Sequence, residues 1–336
     1  MIDPNLPLID LHRHLEGSIR LETIIDLGRK HNLHLPGWDI ESIRPFVQVT
    51  KPQPGVMAFI AKFEWMVGVL VDYTACRRVA YENVLDAKNE GLDYVELRFG
   101  PWFMAEPHRL DPTKLVEVVI DGVDSARQDT VMKVNLIGVI SRTYGSEIAS
   151  KEIESLLNFR DQFVALDLAD DEANFPGYLF IKQVNQARDA GWRVTVHAGE
   201  SAGAESIWQA IQGLGAERIG HAVNAVDDPA LMEFMFERGI GIEANLTSNV
   251  QTSTVPDYAH HPLKQFLEIG LLGTINTDDP GISGIDLPYE YDVAAPAAGL
   301  TRAEIQQAQR NAIEVAFIST QEKSELADQK RGASPL

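Results

Sequence analysis

A single cysteine, Cys76, in 336 residues removes several kinds of chemistry at once. No intrachain disulfide can form, and no cysteine-based zinc site can be built. Long hydrophobic runs are missing too: no stretch approaches the roughly 18 apolar residues that a membrane helix requires. The first residues show no basic segment leading into an apolar core, so no secretory signal is expected. Positive charge is scarce, with 29 Lys and Arg against 49 Asp and Glu and a net charge of -20. That balance argues against a binder of nucleic acid, which needs a cationic surface to release counterions from phosphate. It equally disfavours an anionic membrane surface, while an acidic, solvated exterior aids solubility. A cytoplasmic protein without nucleic-acid or membrane partners is the expectation.

What is present is an ordinary globular mixture, 45% hydrophobic and 23% charged. Short β-rich apolar runs recur at Leu8–His12, Tyr94–Phe99, Val134–Ile140, Val164–Ala169, Val194–Ala198, Arg218–Val223, Ile240–Leu246 and Gly273–Thr277. Helical periodicity lies between them. Tyr178–Ala190 is stopped by Gly191, Ser206–Leu214 repeats the scheme, and Pro229–Arg238 opens on proline and ends before Gly239. Eight strand-helix alternations predict an α/β fold, a (β/α)8 TIM barrel, as one domain over residues 1–336. The interval 19–91 is too long for one helix. It is read as a helical insertion roofing the barrel mouth, and residues 330–336 as a frayed tail.

In such barrels the active site lies at the C-terminal ends of the strands, where this sequence places its unusual polar residues. His12 closes the first strand, with His14 just beyond; alternation puts both on one face and turns Arg13 away. His197 lies near the end of the fifth strand, His221 ends the sixth, and Asp278 and Asp279 follow the eighth. Each has an ordinary alternative alone, a core histidine or a turn carboxylate. Together, imidazoles and a carboxylate on one side of a barrel suit a divalent ion such as zinc. Glu200, three residues after His197, could stand beside that ion and hold a proton, or simply complement a helix dipole. His31, His34, His108, His260 and His261 fall in helix or loop contexts and are read as surface or structural residues.

The motifs IDLHRHLEGSIR, YVELRF, TVHAGE, RIGHAV, LTSN and NTDDPG, with ACRRVAYENVLDA and YEYDVAAPAAGL, resemble in order those of the adenosine deaminase family of amidohydrolases, over nearly the whole chain. The resemblance implies one zinc ion per chain held by His12, His14, His197 and Asp278. It implies that Glu200 protonates purine N1, that His221 orients the attacking water and helps deprotonate it, and that Asp279 bonds N7. The expected reaction is hydrolytic deamination of adenosine and deoxyadenosine in purine salvage, with a small purine nucleoside as partner; the oligomeric state is not legible.

Two departures bear on the substrate. Asp170 stands where the family commonly has a glycine whose backbone N–H approaches purine N3. Aspartate tolerates a left-handed backbone and could keep that pose, or else it changes the pocket. Glu16 stands where an aspartate usually faces the ribose hydroxyls. Ala222, where glycine is usual, is a smaller change. These departures leave open a deaminase of adenine or of a 5′-modified adenine nucleoside such as aminodeoxyfutalosine. A different amidohydrolase and a non-catalytic nucleoside-binding barrel are the remaining alternatives.

Overall fold

The computed structural model describes residues 1–333 of the chain. Eight strands are hydrogen-bonded in sequence order: β1 (Ile9–His14), β2 (Tyr94–Phe99), β3 (Lys133–Ser141), β4 (Phe163–Ala169), β5 (Arg193–Ala198), β6 (Arg218–His221), β7 (Gly241–Ala244) and β8 (Leu272–Ile275). Every neighbouring pair is parallel. The ring closes through a short parallel bridge between Arg13 and Asp278, where His14 N–H donates to the Asp278 carbonyl at 2.8 Å and Asp278 N–H to the His12 carbonyl at 2.7 Å. The expected (β/α)8 barrel is therefore observed.

Some boundaries differ from the sequence reading for local reasons. β1 runs through His14 rather than ending at His12, because Asp278 continues its pairing. β6 stops at His221, where the backbone turns left-handed at both His221 and Ala222. β7 ends at Ala244, and Leu246 already opens the helix Leu246–Gln251. The tail expected from residue 330 is helical in its first part. The helix Thr320–Ala333 runs through Lys330, whose ammonium pairs with Asp93 at 2.7 Å; residues 334–336 lie outside the described residues.

Between β1 and β2 the chain forms the helices Leu21–Lys30, Ile40–Val47, Val56–Ile60, Glu64–Val67 and Tyr73–Asn89. Asp39 and Asp72 cap two of these by accepting from the N–H groups of Ser42 and Ala75. Val56, Phe59, Ile60 and Phe63 line the apolar side of the cavity at the C-terminal mouth. Among the described residues no helix is long and apolar enough to cross a membrane.

The barrel interior is not a plain apolar core. Glu96 and Arg98 share a face of β2 and point inward with Asp167, Thr195, Arg218 and Glu243, all essentially inaccessible to solvent. Arg98 pairs with Asp167 at 2.8 Å and with Glu243 at 2.9 Å. Arg218 pairs with Glu96 at 2.5 Å and with Glu243 at 2.6 Å. Buried charges survive only when paired and hydrogen-bonded, and this network of two guanidiniums and three carboxylates forms a floor beneath the mouth.

Candidate active site

The floor positions the histidines above it. His12 Nδ1 lies 2.7 Å from Glu243 Oε2, and His197 Nδ1 lies 3.0 Å from Asp167 Oδ2. Because Arg98 holds both carboxylates, the two imidazoles are oriented by one guanidinium. A carboxylate on Nδ1 leaves Nε2 as the free nitrogen and fixes the tautomer. Gly220 leaves room for them: a Cβ there would come within 3.0 Å of the His12 ring. Arg13, as alternation requires, faces away and forms a fork with Glu90 at 2.7 and 2.9 Å.

The free nitrogens converge. His14 Nε2 lies 3.3 Å from His197 Nε2 and 3.5 Å from Asp278 Oδ1. His12 Nε2 stands 3.0 Å from the same Asp278 oxygen, yet it is buried without a hydrogen bond. His221 Nε2 is 3.8 Å from Asp278 Oδ2. The ligand atoms of His12, His197, His221 and Asp278 fall within 4.8 Å of one another, and His14 shares a second such group with His197 and Asp167. A cation fits this donor set. It needs neutral imidazoles and an ionised carboxylate. The site favours these at His14 and Asp278, while at His12 burial and Arg98 are outweighed by Asp278 and Glu243, which raise that imidazole's pKa. Burial drives the His14 pKa well below its ordinary value. Burial pushes Asp278 the other way, but the imidazoles of His12, His221 and His14 outweigh it and hold that carboxylate ionised.

Four other carboxyl groups facing the cavity, Glu200, Asp279, Glu16 and Asp170, are shifted the opposite way. Burial, reinforced by Asp278, Glu172 and Asp170, raises Glu200 well above the usual carboxylate range. Asp279 is raised well above it by burial and by Asp278, Glu16 and Glu200. Burial pushes Glu16 up to about 8. Glu200 Oε1 lies 3.5 Å from His221 Nδ1. Its loop is held by Glu172, whose carboxylate accepts from the N–H groups of Gly199, Glu200, Ser201 and Ala202 at 2.5, 3.1, 2.9 and 3.0 Å.

Four of the eight non-glycine residues with positive φ among the described residues lie at the site. Asp170, His221, Ala222 and Asp278 all have positive φ, at 75°, 66°, 55° and 62°. Such residues persist only where their surroundings hold them, and they cluster at functional sites. Asp170 thus keeps a left-handed pose, and its side chain accepts from the Ser141 hydroxyl while lining the cavity. Glu16 Oε1 accepts from Gly100 N–H at 3.1 Å, whereas Oε2 is buried with no partner, as is Asp279 Oδ1. Gly17 makes room for Asp279, because a Cβ there would overlap its carboxylate at 1.7 Å.

All nine residues singled out in the sequence therefore gather at one mouth. Three things were not legible there. The inward charges of YVELRF look like ordinary strand residues, and Glu172 looks like loop polarity. His261, read as surface or structural, is buried and tied to the site through Asn249. Its HHP context carried no signal; the LTSN motif that holds Asn249 was the available clue.

A parallel barrel whose C-terminal mouth gathers buried imidazoles and carboxylates has the layout of a metal-dependent hydrolase. The family model described as adenosine deaminase matches residues 7–331, and the chain belongs to the adenosine deaminase family. An adenosine deaminase from Serratia proteamaculans is 58% identical over 332 residues, covering 99% of this chain and 100% of that protein. One from Vibrio parahaemolyticus is 56% identical, covering 98% of each. Among solved structures, an adenine deaminase from Arthrobacter aurescens superposes with a TM-score of 0.89 at 24% identity, covering 97% of this chain and 98% of that one, a likeness of fold. An Arabidopsis N6-mAMP deaminase gives 0.83 at 26% identity, covering 98% and 99%.

Proposed function

We propose that this protein hydrolyses adenosine and deoxyadenosine to inosine and deoxyinosine with release of ammonia, in cytoplasmic purine salvage. The observation that carries the reading is the 56–58% identity to adenosine deaminases over essentially the full chain, with the required polar groups intact at one mouth. His12, His14, His197 and Asp278 would hold one zinc ion, and their mixed nitrogen and oxygen donors suit it. Zinc, when bound, supplies the Lewis acidity that lets water act as a nucleophile near neutral pH.

The chain's own residues would do the rest. Water adds to C6, and a C–O bond forms as aromaticity is lost. Glu200, kept protonated by burial, delivers its proton to N1, where charge accumulates. His221 orients the water, and Asp279, also protonated, donates to N7. One water proton passes to the 6-amino group, the C6–N bond breaks and ammonia leaves, and the remaining hydroxyl proton returns to the ionised Glu200 as the 6-oxo purine forms. Donors that strengthen as N1 and N7 gain charge favour the transition state over the ground state. The left-handed Asp170 offers its backbone N–H toward the N3 edge.

Two features favour an uncharged nucleoside. Glu16 Oε2, buried without a partner, is satisfied by a ribose hydroxyl and by nothing on free adenine. No Lys or Arg lines the cavity among the described residues, so a 5′-phosphate would meet carboxylates uncompensated. A spectrophotometric panel of adenosine, deoxyadenosine, adenine, methylthioadenosine, aminodeoxyfutalosine and AMP tests this. The two nucleosides should have the highest kcat/KM. A preference for adenine or a 5′-substituted nucleoside would replace adenosine as substrate, and a preference for AMP would refute the electrostatic argument.

A further inference from the structure

The residue His261 lies outside the cavity, two positions before the helix Leu263–Glu268, and is 3% exposed. Its Nδ1 is 3.1 Å from the backbone N–H of Leu263. That N–H can only donate, so Nδ1 carries no proton. Burial pushes the ring down to a pKa of about 3, so it is neutral and its single proton sits on Nε2. The Nε2–H meets Asn249 Oδ1 at 3.1 Å.

This contact decides which way the Asn249 amide points. With Oδ1 taken by His261, the Nδ2 group faces Thr254 Oγ1 at 3.0 Å and His221 Nδ1 at 3.0 Å. An independent contact agrees: the Thr254 hydroxyl spends its proton on the Asn249 carbonyl at 3.1 Å and has only lone pairs left for the amide. An amide N–H cannot face a protonated ring nitrogen. His221 Nδ1 is therefore an acceptor, and the His221 proton lies on Nε2, the nitrogen facing Asp278. Asn245 Nδ2 stands 3.3 Å from Nδ1 and 3.5 Å from Nε2 and does not discriminate between them, so the assignment rests on Asn249.

We propose that His261, acting through Asn249, is a positioning residue that fixes the tautomer and ring orientation of His221. The inference rests on the deaminase reading for its consequence. In this tautomer His221 offers an N–H to the attacking water and orients it by donation. The proton-accepting share of the role that the family resemblance gives His221 is not served by that nitrogen in the resting state.

The tautomers can be read directly, without turnover. In protein labelled with 15N-histidine and loaded with zinc, long-range proton–nitrogen correlation spectra resolve the nine histidines, with His221→Asn and His261→Gln identifying the two signals. Both rings should show an unprotonated Nδ1 and a protonated Nε2. A proton on Nδ1 of either ring overturns the proposal. Kinetically, His261→Leu should lower kcat for adenosine about 10–100-fold with KM within twofold, by analogy with the loss when outer-shell partners of metal-site histidines are removed. His261→Gln, which restores a donor for Asn249 Oδ1, should recover most of the loss; an unchanged kcat in the leucine variant also overturns it. If the wild-type protein deaminates no purine but shows these tautomers, the relay stands and the functional reading falls.

Discussion

At the scale of single residues, Glu200 carries the sharpest expectation. Its carboxyl is buried among other acidic groups, which favours the protonated form. A glutamine keeps the shape and a hydrogen-bond donor but has no proton to give. Glu200→Gln should keep its metal content and lose about 10²–10⁴-fold in kcat; a variant with wild-type turnover would remove Glu200 from proton transfer. Because the working form is the acid, kcat/KM should be flat below the raised pKa and fall as pH climbs through it. The residues that chemistry made conspicuous were readable from sequence, since histidines and paired aspartates at strand ends are costly without a purpose. Asp170 was readable only in part. Its tolerance of a left-handed backbone could be anticipated, but not the Ser141 hydroxyl that holds its side chain.

Among elements, the eight strands were legible because β-branched runs stand between glycine and proline punctuation. Their ends were not, since Asp278 extends β1 and left-handed residues truncate β6. The loop after β5 shows what pattern reading misses. Glu172, on the loop after β4, gathers four consecutive N–H groups and so sets the course of the chain that carries Glu200. These contacts join segments 27 to 30 residues apart, and no local periodicity records them. Glu172→Ala leaves four donors without their acceptor, of which the two buried ones, on Gly199 and Glu200, each cost on the order of 1 kcal/mol or more. We expect a lowered melting temperature and a kcat reduced at least tenfold with zinc retained. Wild-type kcat in a folded Glu172→Ala protein would show that the loop holds its course unaided.

For the whole molecule, acidity shapes both exterior and interior, and it links stability to pH. Glu290, within the π-helical turn Glu290–Ala294, is buried and raised from 4.5 to about 8, chiefly by desolvation. Folding therefore binds a proton that the unfolded chain releases above pH 4.5. This contribution is fully present below about pH 4.5 and is lost as pH rises toward 8. Glu290→Gln removes the titration and should retain the bond from Thr247 N–H. The variant should gain in melting temperature relative to the wild type between pH 5 and pH 8.5. A difference that stays constant with pH would mean that Glu290 is already ionised in the folded protein.

The central claim is that one zinc ion in the nest of His12, His14, His197 and Asp278 makes this barrel an adenosine deaminase. Metal-stripped protein titrated with zinc while adenosine is converted to inosine, followed by the change in ultraviolet absorbance, tests it most directly. Activity should rise from near zero in proportion to added zinc and level off at one equivalent per chain. Full turnover in the metal-free protein, or none with one zinc bound, would contradict it.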